Sequence, residues 1–324
     1  MAMIPRRTLL ASSIATVVWP MGINASTDTK LLKIGLISDI HKDIIHDADD
    51  RLMTFINEMQ SARVDAILQL GDFCIPKAAN KPFLEIFNRF DGPKYHCIGN
   101  HDTDGGFSRE DAVKYLGMPS RYYSFDLGGF HFIVLDANDK PTGHKGGYPK
   151  YIADDQLKWL EADLSRTSLN TFIFSHQSLE RPDCIINQAN VRSVIQAAKT
   201  ENGQRKVAAC LNGHWHIDHA RKIEEIPYIH INSASYIWLN DAKVRGPRLS
   251  PELSRKYPTV ASTIPFTRPL FTILEIDPAN QLFSIRSSQS EWLGPGPEAI
   301  GYKPTGVEKD MLHPGIRARE MKFS

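Results

Sequence analysis

The stretch LKIGLISDIH, residues 32–41, decides how the rest of the chain is interpreted. Its first part, 32–38, is a nearly continuous apolar run, which is typical of a strand buried on both faces. Asp39 and His41 follow directly. Two residues apart in an extended segment, their side chains project to the same side and can bind one ion. The stretch therefore predicts a buried strand with a pair of ligands at its carboxyl end.

The same arrangement, an apolar strand followed by a short polar motif, recurs four times. The motifs combine Asp, Asn and His with glycines that permit tight turns and close backbone approach. Because active sites of layered α/β folds gather at the carboxyl ends of strands, we expect all five motifs to meet in one crevice. The later four are Gly71-Asp72, Gly99-Asn100-His101-Asp102, Ser175-His176 and Gly213-His214-Trp215-His216, after predicted strands 66–70, 95–98, 171–174 and 207–211.

The donor set of these motifs predicts a transition-metal centre. Four imidazoles, two carboxylates and one amide are too rich in nitrogen for calcium or magnesium and suit zinc, iron or manganese. The two oxygens of a carboxylate such as Asp72 can bridge two cations. Two dications, offset by two carboxylates and a bridging hydroxide, would leave a positive charge that attracts a phosphate oxyanion. The predicted ligands are Asp39, His41, Asp72, Asn100, His176, His214 and His216.

Predicted strands alternate with amphipathic helices and are followed by hairpins, which indicates a layered α/β fold. Apolar residues at helical spacing predict helices over 49–62, 82–90, 108–116, 154–164 and 191–199. Further β patterns lie over 122–127, 130–135, 221–231 and 270–286. Residues 240–268, rich in Pro, Arg, Lys and Ser, are expected to form a long loop.

The composition is that of an ordinary globular protein. The 324 residues are 42% hydrophobic and 23% charged, which excludes a disordered chain and a protein of many membrane spans. Lys plus Arg (38) balances Asp plus Glu (37), so no basic excess favours nucleic acid, and none is expected as a partner. We expect one domain over 31–290 and an irregular C-terminal tail over 291–324, where Gly and Pro are frequent.

The N-terminus has the features of a bacterial export signal. Arg6-Arg7 precedes an uncharged apolar run, 9–23, which is followed by small and polar residues. The paired arginines favour the twin-arginine translocon as the export partner. The run is shorter than the roughly 20 residues that span a bilayer, and Pro20 interrupts it, so no stable membrane anchor is expected. We therefore expect a signal peptide over 1–25 and a periplasmic or secreted protein.

The five motifs, D-x-H, GD, GNHD, H and GHxH in this order, resemble the signature of the calcineurin-like metallophosphoesterases. The resemblance covers about residues 31–236. It implies a four-layer αββα sandwich of two mixed β-sheets flanked by helices. It also implies a phosphoester hydrolase with two divalent or trivalent ions, Mn, Fe or Zn, and a bridging hydroxide that attacks phosphorus in line.

The resemblance also implies a role for each motif. Asp39, His41, Asp72 and His216 would hold one metal. Asp72, Asn100, His176 and His214 would hold the other, so that Asp72 is the bridge. His101 would be catalytic, lying over the phosphoryl group to stabilise its charge or to protonate the leaving oxygen. Asp102 would orient His101 from behind.

Within the family, the sequence is more similar to the branch of cyclic-nucleotide and glycerophosphodiester phosphodiesterases. The D-x-H and GNHD motifs are intact, and Ile75 stands where the related purple acid phosphatases have a tyrosine. We therefore expect a phosphodiesterase that acts on a small-molecule phosphoester. Phosphomonoesterase, nucleotide pyrophosphatase and nuclease activities are alternatives. A metal-binding protein without activity is a further alternative, which the complete ligand set disfavours.

Some residues outside the motifs are candidates for substrate binding. His46 and His219 follow the first and last motifs closely, and His144 begins a polar, glycine-containing loop. Trp215 is expected to pack under the site or to stack on substrate. Tyr236 and Trp238 are either rim aromatics or core residues of a strand.

The four cysteines are too few for a disulfide scaffold. We expect small buried apolar residues at Cys74, Cys97, Cys184 and Cys210. A Cys74–Cys97 disulfide is an alternative, because loops after neighbouring strands can meet. The oligomeric state is left open.

Overall fold

The computed structural model describes residues 30–181 and 183–323, so the expected signal peptide at 1–25 lies outside the described residues. The α-helices are Ala48–Ser61 (α1), Lys81–Phe87 (α2), Arg109–Leu116 (α3), Asp154–Arg166 (α4), Gln188–Ala197 (α5) and Pro251–Lys256 (α6). The strands are Leu32–Ile37 (β1), Ala66–Gln69 (β2), Lys94–His96 (β3), Tyr123–Leu127 (β4), Phe130–Leu135 (β5), Thr171–Ser175 (β6), Val207–Asn212 (β7), His219–Ile223 (β8), Ile226–His230 (β9), Tyr236–Trp238 (β10), Thr263–Pro265 (β11), Thr272–Asp277 (β12), Leu282–Ile285 (β13), Ser288–Gln289 (β14), Gly315–Ile316 (β15) and Arg319–Lys322 (β16).

Two six-stranded mixed sheets form the frame of the fold. The first has the order β16-β13-β12-β1-β2-β3, in which β1, β2 and β3 run parallel and the other pairs are antiparallel. The second has the order β4-β5-β6-β7-β9-β8, in which β5, β6, β7 and β9 run parallel. The five predicted motifs follow β1, β2, β3, β6 and β7, at the carboxyl ends of parallel strands.

The two sheets pack face to face with helices outside them. Alternate residues of a strand point to opposite faces of its sheet. In β6, Phe172 packs in the core between the sheets, 5.4 Å from the ring of Phe283 in β13, whereas Ile173 packs in the cluster that contains α4 and α5. On the first sheet, Gly35 lies against Met59 of α1. The expected four-layer αββα sandwich is therefore confirmed.

The predicted helices and strands up to residue 239 are present, with ends that shift by up to three residues. Helix α3 begins as the sequence predicts, because Ser108 and Asp111 form a reciprocal capping box. Among the described residues, no helix combines the length and the apolar character that crossing a bilayer requires. The four cysteines are buried and free, so the alternative of a Cys74–Cys97 disulfide is not formed.

The expectation of a long loop over 240–268 is wrong. This region contains α6 and β11, and β11 pairs with β10, where Ile264 lies opposite Ile237. Ser250 caps α6 by accepting a hydrogen bond from the N–H of Leu253, and Pro251 suits the first helical position. These elements are too short to produce a periodic apolar pattern.

The expectation of an irregular tail over 291–324 is wrong for its last part. Strand β16 pairs with β13 and forms an edge of the first sheet, so the domain extends beyond residue 290. Phe323 is 2% exposed, and its ring lies 5.5 Å from that of Phe130. A four-residue strand with polar side chains carries little sequence signal, and the pairing with β13 supplies its backbone partners.

Replacing Phe323 tests whether the C-terminus belongs to the core. We expect Phe323→Ala to lower the free energy of unfolding by about 3 kcal/mol, because it removes a buried aromatic ring and leaves a cavity. Lys322→Ala, at the exposed neighbouring position, is the control and should change little. Urea unfolding of both variants provides the measurement. A Phe323→Ala protein as stable as the control would show that the C-terminus contributes nothing to the core.

Candidate active site

Five of the seven predicted ligands lie in left-handed backbone. Such φ values are strained for residues with a side chain, and this strain clusters at functional sites. The sequence argument that Asp39 and His41 project from an extended segment is therefore wrong in its geometry. The five residues are Asp39 (φ 52°), His41 (51°), Asp72 (53°), His214 (73°) and His216 (51°).

Contacts between the loops hold these turns in place. The N–H of Asp39 donates to the carbonyl of Gly71 at 3.1 Å, and that of His41 donates to the carbonyl of Asp72 at 3.0 Å. A side chain at Gly213 would overlap Ser38 and Asp39, so only glycine allows the last motif to approach the first. The loops after β1, β2 and β7 thus form one unit.

Asp39, His41 and His216 form the first candidate metal group. The Nε2 atom of His216 is 3.2 Å from Oδ1 of Asp39 and 3.2 Å from Nε2 of His41. All three side chains are buried. Nδ1 of His216 donates to the carbonyl of Tyr236 at 2.6 Å, which directs Nε2 into the site. Such outer contacts fix the ring of a metal-binding histidine.

Asp72, His176 and His214 form the second group. Nε2 of His176 is 3.1 Å from Oδ2 of Asp72 and 3.2 Å from Nδ1 of His214. Nδ1 of His176 donates to the carbonyl of Leu70 at 2.8 Å and so leaves Nε2 directed inward. Oδ2 of Asp72 is also 3.6 Å from Nε2 of His41, which places this carboxylate between the two groups.

Asn100 provides an independent test of whether a metal fits. Its side chain is 3% exposed, and its Oδ1 has no hydrogen-bond partner in the described part of the chain. Burying an amide oxygen without a partner costs free energy, so such an atom calls for a ligand from outside the chain. It lines the same cavity as Asp72 and His214. Together with the nitrogen-rich donor set, it fits a pair of transition-metal ions.

The electrostatics of the site favour cations. Burial and, after it, the charge of His176 lower the pKa of His214 to about 3, so the ring is neutral as a ligand must be. Burial raises the pKa of Asp39 and Asp72, but the neighbouring histidines lower both by more. Burial lowers the pKa of His176, whereas Asp72 and Asp39 raise it, to about 9. The two carboxylates thus hold positive charge between them.

His101 lies beside both groups, with its ring centroid 5.1 Å from that of His41. Its Nδ1 is 2.7 Å from Oδ2 of Asp104 and 3.0 Å from the hydroxyl of Tyr148. That hydroxyl donates to Oδ1 of Asp104 at 2.8 Å. The indole of Trp238 stacks on the His101 ring, with the ring centroids 5.8 Å apart. These contacts engage Nδ1 and leave Nε2 available to a substrate.

The expectation that Asp102 orients His101 is wrong. Its carboxylate is 1% exposed and is used by the backbone. It accepts hydrogen bonds from the N–H groups of Asp72 (3.1 Å), Phe73 (2.7 Å), Cys74 (3.0 Å) and Gly99 (2.8 Å). Asp102 therefore fixes the loop after β2 to the loop after β3, and Asp104 is the partner of His101.

Sequence reasoning missed Asp104 and Tyr148. The spacing His101-x-x-Asp104 within a helical turn is a signal that can be found, because residues three apart are neighbours there. The polar loop that His144 begins is a candidate for substrate binding. The sequence does not indicate, however, that Tyr148 is the residue of this loop that reaches His101. The contact depends on the path of an irregular loop.

The other candidates lie away from the metal groups. His46 lies near Asp47 and Tyr257, His144 contacts the carbonyl of Gly147, and the ring of His219 is 5.7 Å from that of His230. These three are not among the described residues that line the cavity over the site. Among the aromatic candidates, Trp215 and Trp238 line this cavity, whereas Tyr236 is fully buried beside His41 and His216.

A cavity of about 470 Å³ opens from the site. Its base contains Asp72, Asn100, His101 and His214. The lining also includes four aromatic side chains (Tyr148, Trp215, Trp238 and Tyr302) and two cationic ones (Lys150 and Arg245). The space is that of a small-molecule site.

Residues 32–218, more than half of the chain, match the family model of the calcineurin-like phosphoesterases. The chain belongs to this family.

Two curated relatives match parts of the chain. The manganese-dependent ADP-ribose/CDP-alcohol diphosphatase of Arabidopsis thaliana is 33% identical over 126 residues, 35% of this chain and 39% of that protein. The 3′,5′-cyclic-nucleotide phosphodiesterase of Nostoc sp. is 29% identical over 147 residues, 44% of this chain and 51% of that protein. The matches therefore span about half or less of these relatives. Among solved structures, a dimetal phosphatase from Danio rerio has the same fold, with a TM-score of 0.58 and 14% identity over 90% of this chain and 99% of that one.

Two substitutions test whether Asp104 and Tyr148 orient His101 or only stabilise the fold. We expect Asp104→Asn and Tyr148→Phe each to lower kcat about tenfold or more, because His101 loses its orientation, while KM and thermal stability change little. Steady-state kinetics and thermal unfolding provide the measurements. Equal losses in His101→Ala and in the double variant His101→Ala/Asp104→Asn are also expected, because Asp104 acts through His101. Additive losses would contradict this role.

Asp102→Asn should instead lower the free energy of unfolding. The amide that replaces the carboxylate directs N–H groups at backbone donors, so buried N–H groups lose their acceptor. We expect a loss of about 2 kcal/mol or more in the free energy of unfolding. Asp104→Asn, only two residues away, is the matched control. Equal stability of the two variants would refute the role assigned to Asp102.

Proposed function

We propose that this protein is a dinuclear-metal-dependent phosphodiesterase acting on a small molecule. The observation that carries the proposal is the cavity of about 470 Å³ that Asp72, Asn100, His101 and His214 line. A phosphate monoester needs space on one side of phosphorus, whereas a diester carries organic groups on two sides. The size of the cavity and its aromatic walls suit the second case.

The residues of the site would have different roles in such a reaction. We assign one ion to Asp39, His41 and His216, and the other to Asn100, His176 and His214, with Asp72 between them. When bound, two such ions activate water and polarise the phosphoryl oxygens.

The remaining steps fall to side chains near the metal groups. His101, held through Nδ1, presents Nε2 to the cavity, where it can stabilise the phosphoryl charge or give a proton to the leaving oxygen. Trp238 stacks on His101 and lines the same cavity.

We propose manganese, iron or zinc as the metals. The ligands are nitrogen and oxygen atoms, which suit all three. Burial raises the pKa of the Cys74, Cys97 and Cys210 thiols well above the ordinary value, so none of them is a ready thiolate ligand. The manganese dependence in the name of the Arabidopsis relative makes Mn²⁺ the first ion to test.

Hydrolysis of a nucleotide diphosphate is the second candidate. Lys150 and Arg245 line the cavity wall and could neutralise a second phosphate group. The name of the Arabidopsis relative as a diphosphatase supports this candidate, and that of the Nostoc relative as a phosphodiesterase supports the first.

We also propose export by the twin-arginine translocon and a periplasmic or secreted location. The support is the sequence of residues 1–25, with its paired arginines and short apolar run. A fusion of this segment to a reporter that is active only outside the cytoplasm tests it, with Arg6-Arg7→Lys-Lys as the control that should block export.

The function is tested with protein that has been stripped by a chelator and reloaded with Mn²⁺, Zn²⁺ or Fe²⁺. We expect hydrolysis of bis(p-nitrophenyl) phosphate to exceed that of p-nitrophenyl phosphate at least about tenfold in kcat/KM and to disappear after chelation. Asp72→Asn should lose turnover and retain the fold, because it removes the carboxylate shared by both metals. Preference for the monoester would replace the proposal with a phosphatase. Turnover of a nucleotide diphosphate alone would establish the second candidate.

A further inference from the structure

A second cavity adjoins the one over the metal groups. Its volume is about 860 Å³, and it is formed by the C-terminal segment 292–312. None of the described residues that line it belongs to the candidate metal ligands. Four residues line both cavities, namely Tyr302, Pro304, Val307 and Leu312. The two cavities are thus neighbours that share one wall, with the metal groups at one end.

We propose that the second cavity is the subsite for a nucleoside-sized organic group of the substrate, and that the shared wall determines the selection of such substrates. The proposal rests on the proposed phosphodiesterase function. The scissile phosphate would lie over the metal groups, and the ester group that stays with phosphorus would extend past Val307 into the second cavity.

The lining of the second cavity suits a nucleoside. Trp292 and Tyr302 are aromatic, and a base stacks on such residues whatever its identity. The rim carries two lysines. Lys309 is paired with Glu298 at 2.9 Å, whereas Lys303 has no carboxylate within ion-pair distance among the described residues. Lys303 therefore adds positive charge that favours an anionic ester over a neutral one.

The shared wall is held firmly against the loops of the metal site. The backbone N–H of Asn240 donates to the hydroxyl of Tyr302 at 3.2 Å. The guanidinium of Arg181 donates to the carbonyl of Gly306 at 3.0 Å and lies 4.0 Å from the ring of Trp215. Contacts at Tyr302 and at Gly306 thus fix the position of the wall relative to the first cavity.

Asp218, two residues after the candidate ligand His216, anchors the end of the segment. Its N–H donates to the carbonyl of Met311 at 3.1 Å. Its buried carboxylate accepts from Nε2 of His313 at 2.8 Å and forms an ion pair with the guanidinium of Arg319 at 2.6 Å. These contacts within the chain hold the wall in place, so substrate binding would spend little free energy in ordering it.

The test compares two diesters with the same leaving group, methyl p-nitrophenyl phosphate and thymidine 5′-(p-nitrophenyl phosphate). Val307→Trp places a larger side chain in the wall that both cavities share. Thr305→Trp is the matched control, because Thr305 is exposed and lines neither cavity. Metal content and thermal stability of both variants are measured to show that the metal site and fold are intact.

In the wild type, we expect kcat/KM for the thymidine ester to exceed that for the methyl ester at least about tenfold. Val307→Trp should lose this preference, because kcat/KM falls far more for the thymidine ester than for the methyl ester, and Thr305→Trp should retain the wild-type ratio of the two. Equal discrimination by Val307→Trp and the wild type, or no preference in the wild type, would overturn the subsite. Failure to hydrolyse either ester would instead overturn the phosphodiesterase function.

Binding provides a second readout that does not depend on turnover. By calorimetry, thymidine 5′-monophosphate should bind the wild type about tenfold more tightly than inorganic phosphate, and Val307→Trp should remove the difference. Equal affinities for the nucleotide and for phosphate in the wild type would also refute the subsite.

Discussion

The burial of two carboxylates among four imidazoles is the constraint on which the rest of this structure depends. Asp39 and Asp72 are almost fully removed from water, where a charge survives only if it is paired and hydrogen-bonded. Part of the compensation comes from the backbone. The N–H of His214 donates to Asp39, and that of His101 donates to Asp72 at 2.8 Å. The remaining negative charge faces the ring nitrogens across distances that suit shared cations.

Holding this arrangement requires strained backbone, and the sheets supply the rigidity that it needs. Five ligands in left-handed turns would relax in a flexible loop, because each costs of order 1 kcal/mol or more. Here each turn follows a parallel strand in the interior of a sheet, and neighbouring turns are joined by hydrogen bonds. Asp102 adds a further restraint, since four backbone N–H groups from two loops converge on its carboxylate. Asp102, which the GNHD motif places beside His101, thus stabilises the loops.

Most of the helices and strands up to residue 239 could be predicted from the sequence, because buried strands and amphipathic helices have strong patterns of apolar residues. The sequence also predicted that the seven candidate ligands meet in one crevice, since their motifs follow parallel strands. The errors have common physical causes. Strands such as β11 and β16 are short, and their partners are distant in sequence. The left-handed turns at Asp39 and His41 arise from contacts between loops, so neither residue type predicts them. The contact of Tyr148 with His101 depends on a tertiary path in the same way.

The candidate metal ligands and much of the cavity lining lie in different parts of the chain. This separation limits what a relative's function says about the substrate of this protein. The family match ends at residue 218 and includes every candidate ligand. Much of the cavity wall lies beyond it, in Trp238, Arg245 and the segment 302–312. A relative that shares the motifs therefore shares the reaction that they support, because that reaction depends on the strand ends. It shares the substrate only if its own chain builds a similar wall. The residues after 218 consequently carry more information about the substrate than the motifs that identify the family.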